Sequence, residues 1–124
     1  MKKISEIEIL GTTYGLYVDR SGTNPKLENN DAYCEVWSKK IVFSDYRQNC
    51  MTIESLPEYV SSVIMHEIIH AFFHESGLVN YGKDELLVDW IALKLFEMST
   101  AYQKAAKSVV HHLVKSESSS TKGA

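Results

Sequence analysis

Two histidines and a glutamate, His66, Glu67 and His70, have the spacing of a metal-binding motif. On an α-helix, residues four apart lie on one face, so His66 and His70 can each present a ring nitrogen to the same ion. Glu67 is rotated by about 100° from His66, which makes it a poor third ligand but places it beside a water molecule that the ion activates. The motif therefore predicts zinc-assisted hydrolysis with Glu67 as the general base.

The surrounding residues predict that this motif lies on a helix. The run from Val60 to His74 is apolar on most sides and has the length of a buried helix. Ser55 to Glu58 has the pattern of a capping box, and Gly77 is a typical helix stop. Burying two histidines and a glutamate on an apolar helix costs free energy if their polar atoms have no partners, and a bound metal ion would satisfy all three.

A second predicted helix begins near Asp84 and offers a third ligand. Glu85 and Asp89 are four residues apart and share a face of this helix. One carboxylate can reach the metal, while the other accepts a hydrogen bond from the far nitrogen of a ligating histidine. We assign Glu85 to the metal and Asp89 to that supporting role, although the spacing alone leaves the reverse assignment open.

These two motifs resemble those of the gluzincin metallopeptidases, in which His-Glu-x-x-His on one helix is followed by a ligand glutamate on the next. Residues 33–96 are similar, more narrowly, to ImmA/IrrE-type peptidases and to small zincin-like proteins of phages and prophages of Gram-positive bacteria. The resemblance implies a zinc endopeptidase in the cytoplasm of a bacterium or a phage-infected host cell, often one that cleaves transcriptional repressors. Val88 departs from the pattern, because alanine is usual there.

His74 and Tyr81 are candidates for the substrate side of the site. His74 continues the histidine stripe, but three residues at i, i+4 and i+8 span about 12 Å, which is too long for one zinc ion. It lies either at the rim of the site or at the cationic end of the helix. Tyr81 either donates to an oxyanion or packs on the two helices, and the same alternatives hold for Tyr46 and Tyr59.

The residue pattern in the first half of the chain predicts β-strands. Ile4–Leu10 and Thr13–Val18 flank a turn at Gly11 and predict one hairpin, and Ala32–Trp37 with Ile41–Phe43 predicts a second. We expect Ile41 to Asp45 to be an edge strand, either one that binds an extended substrate or an ordinary one. The fold class is therefore α+β, a minimal zincin-like domain with a small sheet packed on the motif helix and a second ligand helix.

Composition limits the number of domains and the class of protein. The chain has 124 residues, 44% hydrophobic and 23% charged, with a formal net charge of −3. Such values fit a single domain, which we place at residues 1–115. The residue pattern predicts a third helical stretch at Tyr102–Val114, and the Ser-rich residues 116–124 are expected to form a disordered tail. A negative net charge disfavours direct nucleic-acid binding, and no signal peptide or membrane-spanning segment is expected, which favours the cytoplasm.

Several residues are assigned to structure rather than chemistry. Cys34 and Cys50 lack a metal-binding spacing and are expected to be buried thiols. Trp37 and Trp90 are candidates for an interface or for the core, and the core is the favoured position for both. The neighbouring histidines at positions 111 and 112 diverge on a helix, so a solvated helix end is favoured over a metal site.

The sequence therefore predicts a zinc peptidase that acts on a protein or peptide substrate. The alternative is a phage-type module that binds or inhibits a host protein and carries a structural or vestigial zinc ion. Replacing Glu67 with Gln separates the two hypotheses, because only the peptidase needs the carboxylate for its function.

Overall fold

The computed structural model describes residues 1–45 and 56–123, with side chains over residues 1–45 and 57–115. It divides into two compact units, Met1–Leu93 and Lys94–Ala124. The first unit contains a four-stranded sheet and two complete helices, so the fold is mixed α+β as predicted. The capping box at Ser55 and the residues Tyr46 and Cys50 lie outside the described residues.

The sheet is built from two hairpins. β1 (Lys2–Ile9) and β2 (Thr12–Asp19) pair antiparallel across a two-residue turn at Leu10 and Gly11. Their alternating apolar residues place one face of the hairpin on the core. After a short 3₁₀ turn at Pro25–Leu27, β3 (Ala32–Glu35) and β4 (Lys40–Ser44) form the second antiparallel hairpin. Both predicted hairpins are thus confirmed.

The order of the strands corrects one prediction. The sheet runs β1-β2-β4-β3, with β2 and β4 pairing in parallel, so β4 is an interior strand. Ile41 to Asp45 was expected to be the edge, but β4 hydrogen-bonds to neighbours on both sides. Among the described residues, β3 lies at that end of the sheet instead. The three consecutive buried residues Ile41, Val42 and Phe43 fit a strand covered on both faces.

In the described residues, three helices follow the sheet. α1 (Leu56–Glu75) carries the His-Glu-x-x-His motif, α2 (Val79–Gly82) is a single turn, and α3 (Glu85–Gly123) begins with the second motif. Asp84 caps α3 as predicted, because its Oδ1 accepts a hydrogen bond from the backbone nitrogen of Leu87 at 3.1 Å.

α1 stops just before Gly77, the position at which the sequence predicts the helix to end. Gly77 has a φ of +82°, its nitrogen donates to the carbonyl of His74, and the nitrogen of Leu78 donates to that of Phe73. This pair of hydrogen bonds is a Schellman motif, which needs a left-handed residue after the helix. The chain is therefore turned sharply from α1 into α2.

α3 is longer than the sequence suggests. The stretch Tyr102–Val114, predicted as a separate helix, is part of α3, because no glycine or proline lies between Gly82 and Gly123. The helical backbone also extends over residues 116–123, where composition favours a disordered tail. No helix in the described parts of the chain is both long enough and apolar enough to span a membrane.

The core lies between one face of the sheet and α1. Ile9, Tyr14, Ile41 and Phe43 from the strands pack around Ala71 of the helix. At the end of α1, the Glu75 carboxylate accepts hydrogen bonds from Tyr14 Oη at 2.7 Å and Lys39 Nζ at 2.8 Å. These contacts connect the sheet to the helix that carries the motif.

Both tryptophans are more exposed than predicted. Trp37 is 84% exposed in the turn between β3 and β4, and Trp90 on α3 is 54% exposed. The core prediction was wrong because the core of the first unit is filled by smaller aliphatic side chains and by Tyr14 and Phe43. Cys34, in contrast, is half-buried and free, and burial raises the pKa of its thiol to about 12.

Candidate metal centre

His66 and His70 lie one turn apart on α1 and point at a common space. Their Nε2 atoms are 3.0 Å apart, and their rings meet edge to face with centroids 4.7 Å apart. The i, i+4 spacing on a regular helix brings the two rings together.

The far nitrogen of each ring has an acceptor. His66 Nδ1 lies 2.7 Å from Asp89 Oδ1, and His70 Nδ1 lies 2.7 Å from the backbone carbonyl of Gly82. A neutral imidazole carries one proton, and in both rings the closer acceptor, at 2.7 Å, faces Nδ1. A proton on Nδ1 leaves the lone pair on Nε2. Both rings therefore present a lone pair to the space between them, the arrangement found in histidines that bind metals.

Glu85 completes the group. Its Oε2 is 3.0 Å from His66 Nε2, and its Oε1 is 3.2 Å from His70 Nε2. Donor atoms about 2.0–2.1 Å from a tetrahedral zinc ion lie about 3.3–3.4 Å from one another, close to these separations. Three acceptors this close repel one another unless a proton or a metal cation lies between them. The chemistry and geometry of His66, His70 and Glu85 therefore fit a metal ion.

The structure thus favours one of the two assignments for the acidic pair. Glu85 faces both Nε2 atoms, whereas Asp89 contacts the Nδ1 atom on the far side of His66. The Glu85 side chain is largely exposed, so the metal position is open to solvent on that side. A site with three protein donors and an open position is typical of catalytic rather than structural zinc.

Glu67 lies beside the metal position but is buried. It is 6% exposed and borders a cavity of about 640 Å³ that also contains His66 and His70. Burial raises the pKa of the Glu67 carboxyl to about 7, and the charge of Glu85 acts in the same direction. A cation held by the three donors would oppose this shift, because it stabilises the ionised carboxylate.

β3 also lines this cavity. Ala32, Tyr33 and Cys34 from the strand, with Val36 just after it, border the same space as Glu67. A second, smaller cavity continues past Glu67 along α1, and it is bordered by Asp31, Ala32 and Ser62. β3 is therefore next to the candidate site from Ala32 to Cys34.

His74 and Tyr81, the two candidates for the substrate side, differ in their position relative to the cavity. His74 lines the cavity, and its ring meets that of Trp37 edge to face at 5.6 Å, so it lies at the rim. Tyr81 is 57% exposed, stacks on Phe73, and is not among the residues that line the cavity. Packing on the helices, the second alternative for Tyr81, fits this position. Tyr59 donates a hydrogen bond to Asp31 and lines the second cavity beside Glu67.

Two residues of the site, Gly82 and Lys83, were not predicted from the sequence. Lys83 lines the cavity and brings a positive charge to it, but a single lysine in a loop has no recognisable pattern. Gly82 contributes a backbone carbonyl, which no side-chain motif can reveal. A Cβ at Gly82 would lie 3.0 Å from Phe73 Cβ, so glycine lets α2 approach α1 closely enough to reach His70.

Comparisons with known proteins identify no relative. No protein-family model matches the chain, and neither the curated proteins nor the solved structures contain a significant match. The assignment of the site rests on its geometry and on the chemistry of its residues.

Proposed function

We propose that this protein is a zinc-dependent peptidase built on a minimal zincin-like domain, similar to the gluzincin and ImmA/IrrE peptidases. The observation that carries the proposal is the triangle of acceptors from His66, His70 and Glu85, with edges of 3.0 to 3.2 Å. Imidazole and carboxylate donors in this number suit zinc. A zinc ion held there would act as a Lewis acid on a peptide carbonyl and on water.

Glu67 handles the protons in this proposal. It follows His66 directly on α1 and borders the cavity from a position screened from bulk water. A carboxylate there can take a proton from the attacking water and deliver it to the departing amine. Asp89 and the Gly82 carbonyl hold the two imidazoles in the orientation that keeps each Nε2 directed at the ion.

The substrate would be an extended segment of a protein. In the described part of the chain, the outer side of β3 has no neighbouring strand, and its backbone can pair with a peptide laid beside it. The two cavities that Glu67 borders offer room for side chains on both sides of the scissile bond. We expect the substrate to be a cytoplasmic protein, such as a transcriptional repressor or a host factor.

The test combines metal content with cleavage. Protein purified without an affinity metal is analysed by elemental mass spectrometry and incubated with a library of unstructured peptides read by mass spectrometry. We expect about one zinc ion per native chain and cleavage that Glu67→Gln reduces by at least ~10³-fold while zinc is retained. Glu97→Gln makes the same change on an exposed part of α3 and should alter neither quantity.

Two outcomes would contradict the proposal. A native chain that remains free of metal after zinc is added back would exclude the metal centre. Zinc binding with no cleavage by the native chain would instead favour the alternative, a protein-binding module with a structural ion.

A further inference from the structure

The C-terminal unit carries an apolar stripe along α3. Six residues form this stripe, which we call the seam: Leu95, Ser99, Tyr102, Ala106, Val109 and Leu113. They are separated by alternating steps of four and three residues, the heptad spacing that keeps one side of a helix facing a partner helix. The seam is about 27 Å long at 1.5 Å per residue.

Charged residues avoid the seam and the positions beside it. The formal charges of this stretch belong to Lys94, Glu97, Lys104 and Lys107, and all four lie at positions of the heptad that face away from the seam. The flanking positions carry apolar or uncharged residues: Phe96, Met98, Gln103, Ala105, Val110 and His112. The apolar strip is therefore wider than the seam and would meet a partner without charge repulsion.

Nothing in the described part of the C-terminal unit covers this strip. Leu95, Tyr102, Val109 and Leu113 are between 37% and 71% exposed. Most helix stability in proteins comes from packing of an apolar face rather than from intrinsic propensity. A partner that carries a matching row of side chains would therefore stabilise α3.

We propose that the seam pairs antiparallel with the seam of a second copy of this chain. In an antiparallel pair centred near Lys104, each seam residue faces one seam residue of the partner helix, and each such pair forms a layer. There are three kinds of layer, and each occurs twice by symmetry. Tyr102 meets the partner's Ala106, Val109 meets the partner's Ser99, and Leu95 meets the partner's Leu113. In two of the three, a large side chain faces a small one, which fills the space between the helices evenly.

A parallel pair would place like residues together. The two Tyr102 rings would then meet in one layer and the two Ala106 methyl groups in the next, which leaves one layer crowded and the other with a gap. The seam is therefore complementary to its own reverse, and this property identifies a second copy, rather than an unrelated helix, as the partner. This inference does not depend on the proposed peptidase activity.

Sedimentation velocity of the full zinc-supplemented chain over a range of concentrations tests the proposal. We expect a reversible dimer with a dissociation constant on the order of 1–100 μM, as suits a short seam. Ala106→Glu places a carboxylate in the layer opposite Tyr102 and should weaken dimerisation by roughly 100-fold or more. Ser108→Glu adds the same charge two residues away on the outer face and should change the constant by less than about threefold.

Disulfide trapping tests the orientation. In a background with Cys34→Ser and Cys50→Ser, Ala105→Cys lies near the twofold axis of the antiparallel pair and should form a cross-linked dimer on mild oxidation. Val109→Cys should not, because the two copies of that position are about ten residues, or 15 Å, apart along the pair. Cross-linking of Val109→Cys but not Ala105→Cys would overturn the antiparallel arrangement.

Two further results would overturn the proposal as a whole. One is a native chain that stays monomeric at all accessible concentrations. The other is a monomer whose melting temperature falls with Ala106→Glu but not with Ser108→Glu, since the seam would then be covered by another part of the same chain.

Discussion

The contact between Asp89 and His66 predicts a graded loss of metal affinity. The 2.7 Å distance from Asp89 Oδ1 to His66 Nδ1 indicates a charge-assisted hydrogen bond that both orients the ring and increases the electron density at Nε2. Asparagine keeps an acceptor but removes the charge, whereas alanine removes both. The two variants therefore separate orientation from charge.

The expected magnitudes follow from this division. Loss of a residue that supports a ligand typically weakens metal binding by 10- to 100-fold, which corresponds to about 1.4–2.7 kcal/mol. We expect Asp89→Asn near the lower value and Asp89→Ala near the upper one. Glu85→Ala removes a ligand itself and should cost at least ~10³-fold, because the ion then has only two protein donors.

Competition with a chromophoric chelator of known zinc affinity, at one neutral pH, measures each constant. Glu97→Gln, an exposed acidic position on α3, serves as the control and should stay within about twofold of the native chain. Two results would refute the reasoning. Native-like affinity in Asp89→Ala would exclude its supporting role, and a larger loss in Asp89→Ala than in Glu85→Ala would reverse the assignment of the two carboxylates.

Three further predictions concern other residues. Glu75→Gln should lower the free energy of unfolding by about 1.5–3 kcal/mol at neutral pH, since hydrogen bonds from Lys39 and Tyr14 lower the Glu75 pKa to about 2. Because this pKa is below that of the unfolded chain, the stabilisation is present above about pH 4.5 and is lost as the pH falls toward 2; urea unfolding at neutral and acidic pH should show the difference between the variants shrinking. Gly77→Ala should cost about 1 kcal/mol in thermal unfolding through its φ of +82° alone, since a Cβ there meets no atom within 4 Å. Tyr81→Phe should leave the kcat of any cleavage within about twofold, because its ring stacks on Phe73 outside the cavity; a loss of tenfold or more would return Tyr81 to the site.

The parts of the site that depend on local rules could be predicted from the sequence. The i, i+4 spacing of His66 and His70, the Asp84 cap and the Gly77 stop act within one or two helical turns, and each is present in the structure. The positions of Glu85 and Asp89 around His66 also follow from helical geometry, once α3 begins at Glu85.

The parts that depend on distant pairing could not be predicted. The parallel contact between β2 and β4 joins segments that no turn connects directly, and it alone decides that β3 rather than β4 lies at the end of the sheet. The exposure of Trp37 follows from the same arrangement, because the tip of the β3–β4 hairpin extends beyond the core. The contact of His70 with the Gly82 carbonyl could not be predicted for another reason, since any residue type supplies a backbone oxygen.

Among the described residues, the atoms that would bind or orient the metal come from a short stretch of chain. His66, His70, Gly82, Glu85 and Asp89 lie within 24 consecutive residues, and the sheet contributes none of them. Contacts of such low sequence separation form early in folding, before the slower parallel pairing of β2 with β4. An ion bound to this stretch would stabilise α1 against α2 and the start of α3 ahead of the sheet. Zinc should then speed refolding as well as stabilise the folded state, whereas the cavity around Glu67 is completed only when β3 is in place.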